Sequence, residues 1–221
     1  MEIDLKPLLD GWQFLGYGLW ITVVTSALSI VLSVMLGTAM AIARCYGSSW
    51  TQRIVAFYVD SQRAIPVLVV LVWMYFAFPL LIGFTLPPLT AAVIGIGIHL
   101  AAYVCEVVRA GLLSVRDGQV RAGLALGMST AQVVRKIVMP QAMVRMLPAF
   151  GSIIVITVKD SAIASVIAVP ELIRQSETLA GQTFRPFEIY TATMLLYFVI
   201  LFPITRGVEA IYRRVAPLGA S

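Results

Sequence analysis

Charge is scarce in this chain: Asp, Glu, Lys and Arg together make up 12% of its 221 residues, about half the share typical of a soluble domain. Histidine occurs once, as His99, with no second histidine and no carboxylate at i+4, so no metal-site spacing exists and a packed, hydrogen-bonded ring is expected. The two cysteines, Cys45 and Cys105, are isolated and read as small packing residues, not as a disulfide or a Cys-x-x-Cys redox pair. No Ser-His-Asp set, zinc motif or paired-carboxylate site is present, so no catalytic or metal-binding residue is assigned. A Gly-x4-Gly-Lys-Ser/Thr loop is also missing, so the chain is not expected to hold the phosphates of ATP. No basic-aromatic face points to nucleic acid, and no strand-like alternation points to an outer-membrane barrel. The acidic stretch from Met1 to Asp10 lacks the basic n-region of a signal peptide, and the apolar run behind it is too long for one, so the segment is expected to stay attached.

What remains is hydrocarbon. Hydrophobic residues make up 60% of the chain and the mean hydropathy is +0.92, which predicts an all-α membrane protein. At ~20 residues per crossing plus a turn, the length suits a single transmembrane domain over 1–221 with five spans. The apolar runs place these at about 17–43, 56–78, 89–113, 146–170 and 189–211. In the first, Thr22, Ser26, Ser29, Ser33 and Gly37 recur every three or four residues and form one small-residue face suited to close helix packing. In the second, Arg63 stands just before Pro66; it either snorkels to headgroups or lines an inner vestibule. In the third, Gly95 and Gly97 signal close approach of another helix, and Glu106 and Arg109 can pair at i,i+3. The segment from Glu171 to Glu188 is a polar external loop with room for one short helix. Twelve of the sixteen basic residues fall on one side of this arrangement, leaving Lys6, Arg174 and Arg185 opposite and Lys159 within a span. The positive-inside rule then puts the N-terminus outside and the C-terminus in the cytoplasm.

The stretch 116–140 does not suit a bilayer interior. It is basic and amphipathic with helical spacing, and it reads as two short helices hinged at Gly127, lying at the membrane surface or in a groove of a partner protein. Within it, Arg121-Ala122-Gly123, three residues, Gly127, nine residues, Ile137, one residue and Met139-Pro140 resemble the signature Glu-Ala-Ala-x3-Gly-x9-Ile-x-Leu-Pro of permease subunits of binding-protein-dependent ABC importers. Its flanks, among them Ala101-Ala102-Tyr103, Glu106, Arg109, Gly118-Gln119 and Pro140-Gln141-Ala142, follow the order of the polar amino-acid branch, the histidine/glutamine/glutamate type. Arg121, Gly123 and Met139 depart from the pattern, and Arg121 reverses a charge.

That resemblance implies a type I ABC importer permease fold in the bacterial cytoplasmic (inner) membrane. It also implies a second permease subunit, identical or paralogous, an extracytoplasmic amino-acid-binding protein and two cytoplasmic ATPase subunits. ATP and Mg belong to those ATPases, and this chain is not itself an enzyme. The coupling contact to the ATPase falls on Gln119, Arg121, Ala122, Gly123, Gly127 and Met128, with small residues permitting close backbone approach.

The substrate pathway is assigned to Lys159, Asp160, Ser161, Ser165, Arg63 and Glu106. If the fourth span starts near Pro148, Lys159 lies about 16 Å into a core of about 30 Å. Charge there is costly unless paired or wetted, and neighbours on a helix do not face each other. An amino-acid zwitterion supplies both missing partners; alternatively, each charge pairs with a neighbouring helix or the partner subunit. The family's stretch here reads Lys-Asp-Thr-Ser-Leu, of which this chain keeps Lys159-Asp160 and retains a hydroxyl at Ser161. Two other functions compete: an intramembrane enzyme using Glu106, His99, Lys159 and Asp160, and a passive channel.

Overall fold

The computed structural model describes residues 4–216, so the extreme ends of the expected 1–221 domain lie outside the described residues. Among those described there are helices and connecting turns but no strand. A short helix α1 (Lys6–Asp10) precedes α2 (Trp12–Tyr46), α3 (Ser49–Ala64), α4 (Val67–Ile82) and α5 (Pro88–Leu113). Then come α6 (Asp117–Ala125), α7 (Thr130–Ile167), α8 (Leu172–Thr183) and α9 (Pro186–Val215). Four of these, α2, α5, α7 and α9, are individually long and apolar enough to cross a membrane, and the bent pair α3 and α4 makes a fifth crossing if counted as one.

The small-residue face of α2 is the centre of the packing. Thr22, Ser26, Ser29 and Ser33 are all buried, and α2 lies directly on α5. A Cβ added at Gly37 would sit 2.6 Å from the Val104 Cβ, and one at Gly97 would sit 2.6 Å from Leu32 Cδ2. The Ser29 hydroxyl donates to the Val93 carbonyl across the interface at 3.4 Å. Contacts thus run 29 to 93, 32 to 97 and 37 to 104, advancing together, so α2 and α5 are parallel, as first and third crossings of one bilayer must be. Around this pair, α7 packs on α5 where Gly111 meets Met146, and α9 packs on α7 where Gly151 meets Val208.

Three expectations are corrected. The second span is not one straight helix over 56–78. It starts at Ser49 and is bent by 104° at Ile65 and Pro66. Ile65 is extended (φ −95°, ψ 131°), as steric conflict with a following proline ring requires. The second helix of the hinged pair is also not short. α7 is unbroken for 38 residues, roughly 57 Å, well beyond a core of about 30 Å, so its basic first turns stand outside the hydrocarbon and Pro148 is an interior residue. Neighbouring helices allow such a proline in a membrane helix. Finally, His99 is 5% exposed and stacks near Tyr103 at 5.5 Å between ring centroids, but its Nδ1 has no hydrogen-bond partner among the described residues.

Two π-helical turns share one cause. Trp73–Ala77 precedes Pro79, and Val134–Val138 precedes Pro140. In each case the residue before the proline bonds five residues back, Phe78 N–H to the Trp73 carbonyl and Met139 N–H to the Val134 carbonyl. A proline two residues past the π turn has no N–H with which to restore the α ladder there.

Outside the spans, Glu171 anchors α8. It is fully buried, and its two carboxylate oxygens accept the Ile173 and Arg174 N–H groups at 2.8 Å each, an N-cap arrangement, with the Tyr197 hydroxyl at 3.4 Å. Burial pushes its carboxyl up to about 7, against the lowering effect of those hydrogen bonds. Because the folded state holds the proton more tightly than the unfolded chain, stability is highest below the ordinary carboxylate range and declines as pH rises from about 4.5 to about 7. The cost is at most about 3 kcal/mol at ~1.4 kcal/mol per unit. Thermal melting of the purified protein should therefore shift downward between pH 5 and pH 8, and Glu171→Gln should flatten that dependence; an equal slope in parent and variant would contradict it.

Candidate functional site

The basic stretch folds into a helical hairpin whose turn is dictated residue by residue. α6 ends in a Schellman arrangement: the Met128 N–H bonds the Gly123 carbonyl at 3.1 Å, and the Gly127 N–H bonds the Leu124 carbonyl at 3.0 Å. This puts Gly127 at φ +79°, a conformation that costs a side-chain-bearing residue about 1–2 kcal/mol. Ser129 and Gln132 then close a capping box that starts α7. Gly123 is buried against α7; a Cβ there would lie 2.8 Å from Ile137 Cδ1 and 3.0 Å from Val133 Cγ2. Two further ties hold the hairpin. The Gln141 amide donates to the Gln119 side-chain oxygen, and Arg145 donates to the Ser114 carbonyl.

The expected coupling residues therefore divide. Arg121, Ala122 and Gly127 are exposed on the outer side of the hairpin, whereas Gln119, Gly123 and Met128 serve its interior. Leu124 and Leu126, missed in reading the sequence, are 45% and 83% exposed and give the outer side its apolar surface. Leu126 follows α6, in the Schellman turn, where helical spacing no longer sets the direction of a side chain.

The expected pathway residues also divide. Lys159 is exposed and Asp160 half-buried near the C-terminal end of α7, and neither forms an ion pair among the described residues. Ser161, one step further round the helix, is fully buried, and its hydroxyl donates to the Val158 carbonyl at 2.8 Å. It belongs to the packed face of α7. Ser165 is half-buried in the closing 3-10 turn (Ala162–Ile167). Some 14 residues back along α7, about 21 Å, Arg145 lines a cavity of about 370 Å³ together with Arg63 and Glu106. Arg63 lies over the Tyr103 ring at 5.7 Å. Glu106 is committed on both oxygens: Oε1 to Arg44, and Oε2 to Arg109 Nη2 at 2.8 Å and Nε at 3.1 Å. It ties α2 to α5 at the cavity wall.

Unpaired charges on one long helix, a charged cavity further along it, and a capped hairpin joining that helix to the core define a polytopic membrane protein of the transport class. The chain belongs to the family of binding-protein-dependent transport system inner membrane components, whose model matches residues 33–217. It is 33% identical to the glutamine transport system permease protein GlnP of Escherichia coli K12, over 97% of this chain and 98% of that one. With the arginine transport system permease protein ArtQ of Bacillus subtilis it shares 28% identity over 97% of this chain and 98% of that one. A solved amino acid ABC transporter superposes with a TM-score of 0.89 at 30% identity, covering 97% of this chain and 100% of that one. The MetNI methionine ABC transporter shares the fold, with a TM-score of 0.79 at 22% identity, over 92% of this chain and 96% of its own.

This is a multi-pass inner membrane protein with the type I ABC importer permease fold. Neither the passive channel nor the intramembrane enzyme finds support in this family or these relatives.

Proposed function

We propose that this chain carries a polar amino acid inward across the membrane, working with a second permease subunit, an external binding protein and two ATPase subunits. The observation that carries the cargo class is the adjacent pair Lys159 and Asp160, without an ion pair among the described residues and set in an apolar helix. Uncompensated charge at that depth is costly, and a zwitterion neutralises both groups, its carboxylate on Lys159 and its ammonium or a cationic side chain on Asp160. The names of the glutamine and arginine permeases among the relatives support the same class.

The path runs from this pair along α7 toward the cavity of Arg63, Glu106 and Arg145, the end that the positive-inside rule assigns to the cytoplasm. ATP and Mg are held by the ATPases, which dock on the outer face of the hairpin at Arg121, Ala122, Leu124, Leu126 and Gly127. Because Gly123 packs on Ile137 and Gln119 bonds Gln141, a push on α6 moves α7 and with it Lys159. The test is uptake of labelled polar amino acids by proteoliposomes containing the whole transporter. Accumulation should require ATP and the binding protein; failure to accumulate any polar amino acid, with ATPase activity intact, would overturn the cargo class.

A further inference from the structure

A second basic cavity, separate from the pathway, opens where α2, α3 and α5 meet. Its volume is about 570 Å³, and its wall includes Arg44, Arg53, Arg109, Ser49 and Gln52. Three arginines line it and no carboxylate does; Glu106, on the wall of the neighbouring cavity, pairs with two of them, leaving an excess of two positive charges. Glu106 engages Arg44 only through Nη1, and Arg109 through Nε and Nη2. Arg44 Nε and Nη2 and Arg109 Nη1 are left without a protein acceptor among the described residues. Arg53 has no ion pair there and rests over the Trp50 ring at 5.8 Å. Like charges concentrated in a concave, half-buried site are costly unless an anion neutralises them, and the planar fork of arginine matches the oxygens of a phosphate.

The surroundings identify the source of that anion. On α3, beside Arg53, Trp50, Ile54 and Phe57 are 73%, 65% and 76% exposed; at spacings of four and three residues they form one apolar stripe running away from the cavity along the helix. The cavity adjoins the ends of α2 and α5 that carry the basic residues, where the positive-inside rule puts the cytoplasmic leaflet. A phosphate in the cavity with hydrocarbon lying along that stripe is the outline of a phospholipid. We infer that the cavity of Arg44, Arg53 and Arg109 binds the headgroup phosphate of an anionic phospholipid, whose acyl chains lie along Trp50, Ile54 and Phe57.

Arg53 is the informative position, because it makes no ion pair and its loss leaves the tie between α2 and α5 intact. Native mass spectrometry of the assembled transporter, titrated with phosphatidylglycerol or phosphatidylcholine, reads the site directly. The parent should retain phosphatidylglycerol over phosphatidylcholine. Arg53→Gln should weaken that retention about fivefold, the value of one basic side chain at a charged membrane surface, with an unchanged melting temperature. Arg44→Gln should weaken it further and also lower the melting temperature. Equal retention by parent and Arg53→Gln would overturn the proposal. So would displacement of the lipid by millimolar inorganic phosphate, which would make the occupant a free anion. Exclusion of phosphatidylglycerol from the assembled transporter, with binding to the isolated chain alone, would make the cavity a contact for the ATPase and overturn it as well.

Discussion

Lys159→Met and Asp160→Asn should each reduce binding-protein-dependent uptake by about 10- to 100-fold while leaving the transporter assembled. The magnitude follows from a charge-assisted hydrogen bond, ~1.5–3 kcal/mol in a site shielded from water. Neither side chain has an ion pair among the described residues, so neither substitution breaks one there, and removal of an unpaired charge from an apolar helix should if anything stabilise the fold. The two variants separate the ends of the cargo. Loss for all amino acids in Lys159→Met, with loss biased toward cationic cargo in Asp160→Asn, would place the carboxylate and the amino group as proposed. Parental uptake in both would show that these charges answer a partner subunit instead. Ser161→Ala serves as the control, because its buried hydroxyl bonds only its own helix; uptake should stay within about a factor of two, in line with the ~1 kcal/mol net value of such a bond.

The second large effect is expected at the hairpin. Leu126 is 83% exposed, so Leu126→Glu leaves the fold untouched yet sets a charge on the apolar outer face. Co-purification of the ATPase should fall by at least about tenfold, the effect of a buried unpaired charge at an interface. Gly127→Val acts differently. A β-branched residue at φ +79° is strained by ~1–3 kcal/mol, which should melt the Schellman turn and uncouple ATP hydrolysis from uptake. Gly127→Asn tolerates that backbone and should retain most activity. Undiminished ATPase binding in Leu126→Glu would move the docking surface elsewhere on the chain.

The chain's apolar runs carried most of this architecture on their surface. The first and third spans, the small-residue face of Thr22, Ser26, Ser29, Ser33 and Gly37, and the turn at Gly127 follow from periodicity and backbone chemistry alone; that this face meets α5 in parallel does not. What the sequence concealed was set by context. Pro66 and Pro148 look alike in a hydropathy profile, yet Pro66 bends the chain by 104° and Pro148 rides inside a continuous helix. At Pro66 the preceding residues are polar and end a helix of their own; at Pro148 the helix continues on both sides. The site shows the same division. Lys159 and Asp160 stand out as charges in a hydrocarbon run, but that Ser161 faces inward and Leu126 outward depends on helical phase against neighbours, which spacing alone does not fix.

The serine face of α2 bears on how the protein is made. Thr22 donates to the Gly18 carbonyl, Ser26 to Thr22 and Ser33 to Ile30, so these hydroxyls are satisfied by the helix that carries them. Three of the four hydroxyls on this face therefore need no neighbour while the bent second crossing is still being synthesised. Only later does α5 arrive, and then Ser29 finds the Val93 carbonyl and Gly37 and Gly97 let the two backbones close. The order of translation is thereby compatible with a pair of parallel neighbours that are not adjacent in the chain.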